Sequence, residues 1–585
     1  MERRNKRTIA LLALAAAVLI LAGVWFALKQ QDEGGVAADY RGHGGTFKNP
    51  LAEIDAPDPS VVFHDGYYYM TFTHNGTDVM VMKSRTLDFR LAERKVVWYP
   101  PIGTMYSANL WAPEIQRVRD KWYIYFAADD GKNENHRMYA LEAATDDPMG
   151  EWTFRGQVTD ETNKWAIDGL TLEHEGKLYF VWSGWEGDVN VAQNTYIAPM
   201  SDPVTISGPR VLLSEPEFDW ERLGGPPYIN EGQAILKKNG RVFLFYSASG
   251  SWTPFYQLGM LTLEPGGDPL DPEAWTKSTE PLFVANEEGG VFGPGHNSFT
   301  TSPDGTEDWI VYHATSGRYD GWANRKARAQ KVEWTEDGFP SLGVPQPLEA
   351  ALAVPSGAGV FRAEHARAEA GRLAFDGIPS TVETDAPLLL HYRLTGDAAA
   401  TVELQANGEP AGAIELAPTP EGAVGYAYAT VPLRAEKNEI AIVADGGAES
   451  GKAGAPEVLA IELPRFEAEF ARAEGGAAAE DNPFASGAGV AELAGEGASL
   501  VFERVNVPAG GAYTLRFAAA NASGSDATIT VRANGGKRVE IVVPAGERNR
   551  FDPVDATLTL RAGANEITLE AKNGSVVVDY LDVRK

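Results

Sequence analysis

Cysteine is absent from all 585 residues. That removes thiol nucleophiles, iron–sulfur clusters, cysteine zinc sites and disulfide staples, so stability must come from packing and from any bound ions. Histidine is scarce, nine in all, and no HExxH pair occurs, which argues against a catalytic zinc. Positive charge is in deficit: 51 Lys plus Arg against 81 Asp plus Glu give a net −30. This charge opposes binding to nucleic acid or to anionic polymers such as pectate, while neutral glycans remain compatible. What is plentiful is Gly (61), Pro (36) and aromatic residues (10%), a mixture suited to turn-rich β-structure. A chain this long divides into several domains.

A basic stretch, Arg3, Arg4, Lys6 and Arg7, precedes an uncharged apolar run from Thr8 to Leu28 that is long enough to span a bilayer. Residues 1–30 read as a hydrophobic helix, either a retained signal anchor or a signal peptide; its length favours the anchor, whereas Val36-Ala37-Ala38 reads as a cleavage site. Residues 31–45 read as a Gly-rich linker. The expected location is extracellular, secreted or tethered to the outer face of the cytoplasmic membrane, with membrane contact through this segment alone.

Between residues 46 and 350 one pattern recurs five times: an apolar strand, a two-residue turn signal, an aromatic-rich strand. The copies begin at Asp58, Glu114, Asp168, Glu231 and His296, with turns read at Asp65-Gly66, Asp120-Lys121, Glu175-Gly176, Asn239-Gly240 and Asp304-Gly305. Heads roughly sixty residues apart suit a four-stranded blade, so the expected fold is a five-bladed β-propeller. The first strand of each blade lines the axis, and residues heading those strands converge at one end of the channel. Asp58, Asp168 and Glu231 are three such heads and His296 a fourth; Glu114 sits slightly out of register and reads as structural.

Cleaving a glycosidic bond with inversion needs a carboxylate base for water, a carboxylic acid for the leaving oxygen, and room between them. A third carboxylate beside the acid raises its pKa by like-charge repulsion. Asp58, Asp168 and Glu231 supply that inventory. Trp111, Trp182 and Trp185 could wall a sugar pocket, although Trp in an aromatic-rich strand is more often core.

Past residue 350 a second repeat appears at an offset of 127: the segment from Thr401 (TVELQANG) matches that from Thr528 (TITVRANG), and the segment from Leu433 (LRAEKNEI) matches that from Leu560 (LRAGANEI). Alternating strands and Asn-Gly turns predict two β-sandwich (jelly-roll) modules, 358–464 and 465–585.

The propeller region resembles glycoside hydrolase family 43, the inverting arabinofuranosidases, arabinanases and xylosidases. The likeness is carried by the Asp of Ala56-Pro57-Asp58-Pro59-Ser60, the Asp of Ala166-Ile167-Asp168-Gly169, the Glu of Tyr228-Ile229-Asn230-Glu231-Gly232, and Gly293-Pro294-Gly295-His296-Asn297. The resemblance implies Asp58 as general base, Asp168 as pKa modulator, Glu231 as general acid, and His296 beside a structural calcium ion in the channel. It also places Arg325 on the substrate sugar, where a solvated basic turn is the alternative. The 465–585 module resembles carbohydrate-binding modules of the family 6 and 35 type, which implies a structural calcium held by Glu467, Glu469 and Asp579. The 358–464 module departs from that pattern: Arg362 replaces the first Glu, and no Asp follows Val458-Leu459-Ala460-Ile461.

The wording WAPE, WAIDG and GPGHNSF, with the Asn133-Glu134-Asn135-His136 loop, looks most like exo-α-L-arabinofuranosidases. The implied partner is plant cell-wall polysaccharide, arabinan or arabinoxylan, met by a monomer without organic cofactor. Endo-arabinanase and β-xylosidase action stay open, as does, from another class, a non-catalytic surface glycan-binding protein.

Overall fold

The computed structural model of the chain describes residues 40–369, 371–444 and 455–585, so the helix expected over 1–30 lies outside the described residues. The described residues hold strands and single-turn 3-10 helices, an all-β fold. They form two compact units, one of residues 48–356 and one combining residues 40–47 with the described residues of 357–585.

In the 48–356 unit five antiparallel strand groups follow one another, each paired in chain order. The first is Ser60–His64, Tyr67–Thr71, Val79–Ser84 and Glu93–Trp98; the second Ala108–Val118, Lys121–Asp129, Arg137–Ala143 and Trp152–Val158. The third contains Ala166–His174, Lys177–Gly184, Ala192–Asp202 and Val211–Ser214; the fourth Tyr228–Lys238, Arg241–Ala248, Gln257–Leu263 and Trp275–Lys277. The fifth is Phe292–Thr301, Asp308–Thr315, Lys326–Trp334 and Pro340–Ser341. Neighbouring groups pack face to face. Tyr69, Val79 and Val81 of the first share a core with Trp122, Ile124 and Phe126 of the second, and separate apolar clusters join second to third, third to fourth and fourth to fifth. Second strands are thus covered on both faces, which is why KWYIYFAAD and RVFLFYSA read as almost unbroken apolar runs. The first residues of this unit lie along the fifth group: Leu51 N–H donates to Ala327 O (2.8 Å) and Ala56 N–H to Arg325 O (2.9 Å).

Tight turns lie at Asp65-Gly66, Glu175-Gly176 and Asn239-Gly240, each with both residues at positive φ, the conformation such hairpins demand. Two differ from expectation. The second group turns at Arg119-Asp120, one residue earlier, because Val118 pairs with Lys121. In the fifth group Thr301 pairs with Asp308. Its turn at Asp304-Gly305 therefore sits in a longer loop, folded around the Asp304 carboxylate, which accepts from Ser302 and Thr306.

In the other unit each module is a sandwich of two sheets around its own core. The 127-residue repeat has a physical counterpart. Asn438 and Asn565 are buried, each donating to backbone carbonyls, Arg434 O (3.0 Å) and Arg561 O (2.9 Å), and each accepting from Asn407 or Asn534 at 2.8 Å. The described end of the expected linker, from Tyr40, is not a spacer. Tyr40 hydroxyl donates to Glu462 Oε1 (2.7 Å), His43 Nδ1 lies 3.0 Å from the same oxygen, and Asn506 N–H donates to His43 O (2.8 Å). Aromatic and carboxylate partners, rather than its Gly content, decide where this segment lies.

Candidate active site

Each of the five groups has a left-handed residue at the head of its first strand, Asp58 (φ 57°), Ala112 (42°), Asp168 (56°), Gly232 (60°) and His296 (39°), and the second and fifth groups add Asn109 (49°) and Gly293 (56°). In the last four groups the ladder skips Ala112, Asp168, Gly232 or His296 and the residue after it, a bulge that bends the strand and re-aims the side chains around it. Bulging also frees a backbone N–H, and side chains satisfy three of these together with that of Asp58. Asp58 N–H donates to His313 Nδ1 (3.1 Å), Ala112 N–H to Thr73 Oγ1 (2.8 Å), Gly232 N–H to Asp168 Oδ2 (2.8 Å) and His296 N–H to Ser247 Oγ (2.8 Å). Non-glycine residues at positive φ cost about 1–2 kcal/mol each, so the strain sits where the surroundings over-determine it. Equivalence of the heads is therefore only partial: Asp58, Asp168 and His296 occupy the left-handed position, while Glu231 stands one residue before it.

His296 gathers the carboxylates. Its Nε2 lies 3.0 Å from Glu114 Oε1, and its Nδ1 lies 3.4 Å from Asp58 Oδ1 and 3.8 Å from Asp168 Oδ2. All are buried. Burial alone would lower the His296 pKa, but Asp168, Asp58 and Glu114 outweigh it and lift it to about 10, so the ring is an imidazolium. Burial would raise Asp58; His296, Arg325 and His313, with a 2.6 Å hydrogen bond from Thr73, bring it down to about 2. Asp168 is pushed up to about 6 by burial, against His296 and with the charge of Asp58. Glu231 rises to about 8 through burial and then the neighbouring Asp168 charge; Tyr256 hydroxyl donates to its Oε1 at 3.0 Å. Around one cluster, then, stand a carboxylate ionised at neutral pH and a carboxylic acid still protonated there.

Arg325 Nη1 approaches Asp58 Oδ1 at 3.4 Å, so it faces the cluster rather than solvent. Trp111 is half-buried and stacks on His136 (centroids 4.0 Å apart), a ring fixed by Asp129 and by Asn109 O. Trp185 is only 4% exposed and stacks on Trp165 at 4.8 Å, and Trp182 is equally buried. Both belong to the core between second and third groups, so packing uses the faces expected to meet sugar. Sequence reasoning missed Glu114, set aside for its register, because bulges were not foreseen. It also missed Thr73, Tyr256 and His313, which lie on other strands or loops and carry no motif.

In the C-terminal module Glu467, Glu469 and Asp579 meet around the Ser486-Gly487 turn. Ser486 Oγ donates to Glu467 Oε1 (2.9 Å) and Ser486 N–H to Asp579 Oδ1 (2.9 Å), and a Cβ on Gly487 would fall 2.7 Å from Glu469 Oε1. Burial and the charge of Glu467 push Asp579 up to about 8.

Residues 47–340 match the family described as glycosyl hydrolases family 43, and residues 464–585 match carbohydrate binding module family 35. An extracellular exo-alpha-(1->5)-L-arabinofuranosidase of Streptomyces avermitilis is 39% identical over 310 residues, 51% of this chain and 64% of that protein. The corresponding protein of Streptomyces chartreusis is 40% identical over 274 residues, 46% of this chain and 82% of its own length. The crystal structure of an alpha-L-arabinofuranosidase from Lactobacillus brevis is 37% identical, with a TM-score of 0.49 over 52% of this chain and 98% of that one. The chain spans less than two thirds of the S. avermitilis protein. With the family matched over half of the sequence, and most of the S. chartreusis relative covered, the chain belongs to glycosyl hydrolases family 43.

Proposed function

We propose that this chain is an inverting exo-α-L-arabinofuranosidase acting on arabinan or arabinose-bearing plant polysaccharide outside the cell. The five strand groups are its propeller blades. Asp58 is the general base, Glu231 the general acid and Asp168 the group that keeps Glu231 protonated. The observation that carries this reading is the convergence of Asp58, Asp168 and Glu231 on one buried cluster around His296, where Arg325 and Thr73 hold Asp58 while burial and the charge of Asp168 push the pKa of Glu231 up.

Water beside Asp58 gives its proton to that carboxylate as its oxygen attacks the anomeric carbon. The glycosidic oxygen leaves with the proton of Glu231, so one displacement inverts the centre. Asp168 holds Gly232 N–H, the backbone beside the acid, and its charge opposes ionisation of Glu231. Arg325 and Thr73 fix the Asp58 carboxylate in place.

Both ring nitrogens of His296 already face carboxylates, Nε2 that of Glu114 at 3.0 Å and Nδ1 that of Asp58 at 3.4 Å, so calcium held directly by His296 would have to displace one of them. Calcium in the C-terminal module fits better: Glu467, Glu469 and Asp579 supply hard oxygen donors whose mutual repulsion a cation relieves. Among the described residues no three acidic or His side chains already stand in ligand geometry, so binding has to draw those carboxylates together.

The names of the two Streptomyces relatives support exo action, and loop shape at the site mouth decides it. Proton NMR of the sugar first released from an α-L-arabinofuranoside tests the reading. The β-anomer of arabinofuranose is expected; the α-anomer as first product, or no hydrolysis at all, contradicts it.

A further inference from the structure

The first strand of every group runs away from the Asp58, Asp168 and Glu231 cluster and the second returns towards it. Loops leaving a second strand or leading into a first strand therefore ring the site. Of thirteen large hydrophobic residues exposed within 48–356, ten lie on those loops; Leu91, Leu212 and Val344 are the exceptions. Apolar exposure is thus concentrated at one end, and at one point it turns aromatic and ordered. Trp322 is 62% exposed, yet its indole N–H donates to Ser251 Oγ (3.1 Å), and Trp252 meets it edge-on with centroids 5.9 Å apart. Phe255, also exposed, continues the edge.

Two connections tie this edge to the reaction centre. Trp322 O accepts from Arg325 Nε (3.2 Å), and Arg325 reaches Asp58. The loop bearing Trp252 and Phe255 also bears Tyr256, whose hydroxyl rests on Glu231. That loop is held by Thr253, whose hydroxyl donates to Gly250 O (2.7 Å) and accepts from Phe255 N–H (3.2 Å). A Cβ at Gly250 would lie 2.7 Å from the Trp252 ring, so glycine there lets the indole fold back over the backbone. A rigid, exposed indole face at Trp322, backed by the half-buried Trp252, suits the apolar faces of sugar rings, and stacking on it costs little conformational entropy.

We propose that Trp322 and Trp252 form a stacking platform for the sugars on the leaving-group side of the cleaved bond, so that the enzyme selects polymeric over single-sugar substrates. The side follows from Trp252, whose loop also carries Tyr256, the residue whose hydroxyl donates to Glu231, the proton donor to the leaving oxygen. This inference rests on the role proposed for Glu231, and the test separates the two. Trp322→Ala, Trp322→Phe and the unaltered enzyme are compared on linear arabinan and on methyl α-L-arabinofuranoside, whose leaving group is too small to reach the platform, with melting curves recorded for each. Trp322→Ala is expected to lower kcat/KM on arabinan about tenfold and leave the methyl substrate within about twofold, while Trp322→Phe recovers most of the arabinan activity. Equal losses on both substrates, or no loss on arabinan, overturn the platform. Absence of hydrolysis of either substrate by the unaltered enzyme strikes instead at the proposed function.

Discussion

Single side chains set the protonation states on which the proposed chemistry depends. Activity requires Asp58 ionised and Glu231 protonated, so kcat/KM should fall as pH rises through about 8, and its acid limb should lie far below neutrality. Tyr256 donates to Glu231 and thereby favours its ionised form. Replacing it in Tyr256→Phe should move the alkaline limb upward by roughly half a pH unit, the worth of one hydrogen bond. A profile unchanged or displaced downward would remove Tyr256 from that role. The three carboxylates were legible in the sequence because each heads a repeat and sits in a recognisable motif. Their partners were not: Thr73, Tyr256 and His313 reach the site from loops and second strands, and contacts across 15 to 255 residues leave no local pattern. Trp185 failed for the complementary reason, since an aromatic strand residue reads alike whether it faces a pocket or a neighbouring sheet.

Among the elements, the hairpins at Asp65-Gly66, Glu175-Gly176 and Asn239-Gly240 were read well, whereas the turn without Gly lies one residue earlier, at Arg119-Asp120, and Asp304-Gly305 sits in a longer loop. The bulges at the strand heads could not be foreseen because left-handed Asp, Ala and His carry no sequence signal comparable to glycine. In the C-terminal module the corner holding Asp579 carries its own pH dependence. Its pKa, raised from 3.8 to about 8, means that the protonated carboxyl stabilises the fold at low pH and that this contribution is lost as pH rises through about 8. Calcium should offset the loss. Differential scanning calorimetry at pH 8 is expected to show the sandwich transition rising by several degrees with millimolar calcium, and Asp579→Asn should abolish the rise. A transition indifferent to calcium in the unaltered protein would dismiss the ion.

At the scale of the whole molecule, the repeat offsets announced five groups and two sandwiches, but not that the segment before the first group belongs with the sandwiches. Glu462 is buried between His43 and His391, with Tyr40 completing its hydrogen bonds. Its pKa, lowered from 4.5 to about 2, means that this stabilisation is complete above 4.5 and is lost as pH falls through about 2. His43→Ala removes one partner of a buried carboxylate and should cost the sandwich unit about 2 kcal/mol while leaving arabinofuranoside hydrolysis intact. Because every tryptophan of the described residues lies in 48–356, scanning calorimetry set beside residual activity is used to separate the two units; a loss of activity that coincides with the lowered sandwich transition would mean that the segment supports the 48–356 unit as well.

Proton donation by Glu231 is tested most directly by varying how much the leaving group needs it. In Glu231→Gln, turnover of an arabino-oligosaccharide should fall by about 10²–10⁴-fold, and turnover of the nitrophenyl arabinofuranoside, whose leaving group needs little protonation, far less. Equal losses on the two substrates, or undiminished cleavage of the oligosaccharide, would contradict the assignment on which the account stands.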